Sequence, residues 1–104
     1  MQQNTDAPAQ ELIRAIRDLH NCESKWLESV QIKEMFGKDV AWEGVVEVFK
    51  LIDHPTAKRC YAWSHAIEGS TKRKFMAVLR QGPVKSPQDA VRAAIVSEYK
   101  KQGA

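Results

Sequence analysis

Four side chains alternate along one short run of this chain, Arg59-x-Tyr61-x-Trp63-x-His65, and on a β-strand the four would share one face. Rings beside cations are what grips single-stranded nucleic acid, with bases stacked on the aromatics and phosphates held by the charges. Lys58 precedes the run, and a second basic cluster, Lys72-Arg73-Lys74, follows beside Ser70-Thr71. Lys58, Arg59, Tyr61, Trp63, Lys72, Arg73 and Lys74 are therefore the candidate nucleic-acid-binding set, with Arg80 nearby. Four or five of these cations on phosphates would give a log–log salt slope of about −4. Plainer roles exist for the same residues. Tyr61 and Trp63 could be core beneath a helix, and the lysines could guard a sheet edge against strand pairing. The opposite set, Cys60, Ala62 and Ser64, is small enough for an alanine-rich helix to lie close. The spacing leaves open which side of the strand faces inward.

Other reactive residues point away from catalysis. Asp53 stands next to His54, but adjacent side chains rarely converge on one substrate atom, and His54-Pro55 reads as a polar turn. A metal centre would require His20, Cys22, His54, Cys60 and His65 to converge, and His20-x-Cys22 matches no zinc spacing. Ser97-x-x-Lys100 stands without the companion motifs of a serine enzyme. Neither a glycine-rich phosphate loop nor a Gly-x-Ser-x-Gly elbow occurs. The expectation is a non-enzymatic protein with no cofactor and no bound metal.

These residues must be positioned by a small fold. A chain of 104 residues, 43% of them hydrophobic, forms one domain and buries roughly two thirds of its unfolded surface. Cys22 and Cys60 are too few for a disulfide framework and read as reduced thiols. The chain has no apolar run near the ~20 residues of a membrane span and no signal-peptide pattern, which points to the cytoplasm. The net charge of +3 conceals an asymmetry: residues 1–50 carry six Lys/Arg and nine Asp/Glu, residues 51–104 ten and four. The second half is thereby suited to a polyanionic or acidic partner.

Residues 1–5 are polar and expected to fray. Asp6-Ala7-Pro8 reads as a helix start, and Leu12, Ile13, Ile16 and Leu19 recur at helical spacing to about Asn21. Between Ser24 and Phe36 the pattern fits either a helix or a strand. The strand reading, Leu27 to Phe36, is hairpinned through Gly37-Lys38-Asp39 to a strand from Val40 to Leu51. Two further strands follow, Lys58 to Ile67 and Arg73 to Gln81, joined at Glu68-Gly69-Ser70. Ser86-Pro87-Gln88-Asp89 caps a final helix, whose apolar stripe is Val91, Ala94 and Ile95 with Tyr99 beyond.

The predicted fold is α+β, with an antiparallel meander of three or four strands and both terminal helices packed on one face (α-β-β-β-β-α, or α-β-β-β-α without the first strand). Val45, Val46, Val48, Phe49 and Leu51 place apolar groups on both faces of one strand. With both helices on one side, the other side would be covered by a protein partner or a second copy, so a homodimeric interaction module is the alternative to a nucleic-acid binder.

The segments Trp42 to Phe49, His54 to Ser64 and Ala90 to Ile95 resemble a family of small uncharacterised bacterial proteins associated with plasmids and mobile elements, a likeness that implies no activity. The order helix, three strands, helix, with a His-Pro loop and an alanine-rich last helix, is similar in topology to double-stranded-RNA-binding domains. That family grips phosphates with a lysine pair at the start of its last helix. Here those positions are Ser86-Pro87-Gln88-Asp89, with Lys85 and Arg92 alongside.

Overall fold

Apolar side chains on both faces of the central strands decide this architecture. The computed structural model describes residues 3–67 and 69–103, and side chains within 9–67 and 69–98. Helix α1 (Gln3–His20) leads into four strands, β1 (Glu23–Phe36), β2 (Asp39–Ile52), β3 (Arg59–Ala66) and β4 (Arg73–Leu79), and the chain closes with helix α2 (Pro87–Gly103). The strands form one antiparallel sheet in the order β1-β2-β3-β4.

The segment that fits either a helix or a strand by sequence is resolved by the sheet. Ser24 to Phe36 is a strand and starts earlier than the sequence pattern suggests, because Glu23 to Trp26 pair with Ile52 to Phe49 of β2. The two-residue turn Gly37-Lys38 closes the hairpin, and Gly37 takes the positive φ of 63° that a side chain would resist. The fourth strand separates this topology from helix–three-strand–helix. At the N-terminus α1 begins at Gln3, so Asp6 lies inside the helix instead of capping it. Residues 1 and 2 lie outside the described residues.

The expectation that both helices share one face is corrected. Strand β3 is buried on both sides, Cys60 and Ala62 on one and Tyr61 and Trp63 on the other. Leu12 and Ile16 of α1 pack with Phe49, Leu51, Cys60 and Ala62. Ala90 and Val91 of α2 pack with Val46, Val48, Tyr61 and Trp63. Directly opposed residues share a face, and Val48 opposes Tyr61 while Phe49 opposes Cys60, so the two helices lie on opposite sides of the sheet. One helix could not cover two apolar faces, and each face holds its own hydrophobic cluster.

Polar contacts fix both helices in place. His20 at the end of α1 directs Nε2 to the Ala77 carbonyl at 2.8 Å, which blocks an acceptor of the edge strand β4. Ser86 Oγ accepts from the Asp89 N–H, and Asp89 reaches back to the Lys85 N–H, a reciprocal cap at the start of α2. Helix α2 crosses its face obliquely. Gln88 and Arg92 bond Glu34 of β1, and Glu98 pairs with Lys74 of β4. Beyond the residues that pair with β3, the hairpin of β1 and β2 projects from the sheet, with Phe36 80% exposed near its tip.

Candidate functional site

Tyr61 and Trp63 are each only 3% exposed and belong to the core beneath α2, so their ring faces are not open platforms for bases. The Tyr61 hydroxyl reaches the Lys85 carbonyl at 3.5 Å, and Trp63 packs against Trp42. The inward side of β3 is both sides.

The cations separate into two groups. Lys72, Arg73 and Lys74 sit at the β3–β4 turn, where Ala66 opposes Arg73 and His65 opposes Lys74. There Arg73 donates to Ser64 Oγ at 3.0 Å and to the Ser64 carbonyl at 3.1 Å, and Lys74 pairs with Glu98 at 2.7 Å. Lys58 and Arg59 lie at the other end of β3, about 20 Å away at the usual rise per residue. The two clusters do not form one patch.

The register instead assembles a row of cations that sequence reasoning missed. Lys25 opposes Lys50, and Lys50 opposes Arg59. The Arg80 N–H donates to the Arg59 carbonyl at 2.9 Å, continuing the register by one residue beyond β4. Lys25, Lys50, Arg59 and Arg80 therefore cross all four strands on the α2 side. All four are exposed. Three interstrand spacings make the row about 14 Å long.

None of the four takes part in an ion pair among the described residues. Arg80 Nε donates to the Lys85 carbonyl at 3.2 Å, which ties the guanidinium to the loop before α2. Lys58 and Lys85 are exposed on its flanks; carboxylates near it include Glu28 on β1, Asp53, and Glu23, which is paired with Arg17. Like charges directly opposed on neighbouring strands destabilise a sheet by tenths of a kcal/mol per pair. Three such contacts in succession gain nothing for the fold and create a strip of positive potential. The chemistry this arrangement can perform is to hold a chain of anions. Lys25 and Lys50 belong to the half of the sequence with net negative charge, so composition gave no sign of them; the shared register does.

A shallow cleft beside the row is lined by Leu27, Lys50, Asp53, His54, Lys58 and Arg59. His54 Nδ1 accepts the Thr56 and Ala57 N–H groups at 3.2 and 3.0 Å. That makes His54 a turn-former, as its place before Pro55 suggests, and leaves Nε2 to carry the ring proton.

The remaining candidate ligands are spread apart. Cys22 and Cys60 are free thiols on the α1 side, His20 is engaged with Ala77, and His65 follows Trp63 on the α2 side. Burial pushes the Cys60 thiol up to about 12, with the neighbouring Cys22 adding to the shift. The Cys22 thiol is raised by burial and by Glu23. Both are poor nucleophiles near neutral pH. Among the described residues, no helix is long and apolar enough to cross a membrane.

No protein-family model, curated protein or solved structure matches this chain.

Proposed function

We propose that this protein is a non-enzymatic binding module that holds a nucleic-acid backbone along the row Lys25, Lys50, Arg59 and Arg80. The observation that supports it is the row itself: four exposed cations on adjacent strands, kept together against their mutual repulsion with no carboxylate of the described residues in salt-bridge contact. Because Tyr61 and Trp63 are core, recognition acts on phosphates rather than on bases and is indifferent to sequence. The homodimer alternative assumed both helices on one face; with α1 and α2 on opposite faces, the bare part of the sheet is reduced to the α1 side of the β1–β2 hairpin, where Trp26 and Val45 stay exposed.

The test is an amide NMR titration with single- and double-stranded oligonucleotides, repeated between about 50 and 200 mM salt. The expected result is shifts on Lys25, Lys50, Arg59 and Arg80 and a log–log slope of about −4 on duplex, about −3 on single strands. Lys50→Gln with Arg59→Gln should reduce the duplex slope by about 2, whereas Lys72→Gln should leave it unchanged. Absence of shifts at low salt, or a slope indifferent to the double substitution, rejects the reading.

A further inference from the structure

At the other end of β3 from the cationic row, α2 and the sheet part around an open cleft of about 320 Å³. Trp42, Trp63, Met76 and Ile95 form its walls, and His65, Lys74 and Glu98 stand around it. The two indoles meet edge to face, centroids 5.6 Å apart and planes at 63°, so they make a corner rather than a flat wall. That corner depends on a residue with no side chain. A Cβ at Gly44 would stand 3.1 Å from the Trp42 ring, so glycine lets the indole lie down along β2.

A volume near 300 Å³, mostly apolar with a few polar groups, is at the lower end of small-ligand sites. Two indole walls favour a planar aromatic body, which stacks or meets ring edges at little conformational cost. The charge at the mouth selects the other end of the ligand. Lys72, two residues before Lys74, shares its side of the sheet, whereas Arg73 turns to the other side and bonds Ser64. Against Glu98 among the described residues, two lysines leave the mouth net positive and disfavour an ammonium. The Lys74–Glu98 pair, 2.7 Å apart, is partly exposed on both sides. Such pairs contribute little, so Lys74 can exchange one carboxylate for another at small cost.

We propose that this cleft binds a small planar aromatic carboxylate, its ring against Trp42 and Trp63 and its carboxylate on Lys74 in the place of Glu98. The site is separate from the cationic row and does not depend on it.

The experiment is an NMR titration of the full chain with naphthalene-2-carboxylate, the neutral 2-naphthylmethanol and the cationic 2-naphthylmethylammonium. The carboxylate should move the Trp42 and Trp63 indole N–H signals saturably and bind about tenfold more tightly than the alcohol. Lys74→Gln, a partly exposed change that leaves the core intact, should erase that preference while keeping ring binding. Ala94→Phe, which fills the cleft, should weaken all three probes. Lys50→Gln with Arg59→Gln should change none of them, so failure here is distinguishable from failure of the nucleic-acid reading. No saturable shift, equal binding of the ammonium, or a carboxylate preference that survives Lys74→Gln overturns the proposal.

Discussion

Cys60 makes the clearest statement at the scale of single residues. Its thiol is pushed up to about 12 from an ordinary value of 9.0. Between those two values the unfolded thiol is ionised while the folded one keeps its proton, so unfolding releases a proton and stability falls as pH rises. The contribution is whole below pH 9 and declines by about 1.4 kcal/mol per pH unit through that window. Urea titrations at stepped alkaline pH should show this slope in the native chain and lose that component in Cys60→Ala. Lys50 offers a second residue-scale test. Lys50→Gln removes two like-charge contacts and should raise stability at low salt by about 0.2–1 kcal/mol while weakening oligonucleotide binding. A residue that costs stability and strengthens binding is what a functional row requires. Asp53 adopts φ 60° at the end of β2. Asp53→Val should therefore destabilise by about 1–2 kcal/mol, and Asp53→Gly should be close to neutral, read from thermal melts.

At the scale of elements, α2 depends on its first turn. The reciprocal bonds among Ser86, Lys85 and Asp89 satisfy N–H groups that the helix itself leaves open. Ser86→Ala should cost about 1 kcal/mol in chemical denaturation. Ala90 is fully buried against the sheet; Ala90→Leu should cost about 1–3 kcal/mol, because a larger side chain would lift α2 from Val48 and Tyr61. The cap was legible from Ser86-Pro87-Gln88-Asp89 because capping is local chemistry. The buried character of both sides of β3 was harder to read. Cys60, Ala62 and Ser64 against Tyr61, Trp63 and His65 alternate by size, not by polarity, and size alone does not indicate which face is covered.

For the whole molecule, two helices on opposite faces still leave large apolar side chains exposed, Leu19 and Val96 on the helices and Trp26, Leu27, Val45 and Ile52 on β1 and β2. Met35, Phe36 and Val40 stand out at the tip of the β1–β2 hairpin. The charge pattern also changes meaning with the fold. Division of the chain into an acidic and a basic half suggests that the second half alone meets an anion. The sheet instead draws Lys25 and Lys50 from the first half and Arg59 and Arg80 from the second into one line.

Periodicity, turn residues and caps were enough to read an antiparallel meander of three or four strands between two helices, since each arises from neighbours within a few residues, but they left Ser24 to Phe36 open between helix and strand. The composition of the basic clusters was equally plain. Which helix covers which face, the burial of Tyr61 and Trp63, and the line of Lys25, Lys50, Arg59 and Arg80 all depend on how strands far apart in the chain are paired. A shift of one residue in that pairing would move every side chain to the other face. Register is set by packing both faces at once, and no short stretch of sequence contains it.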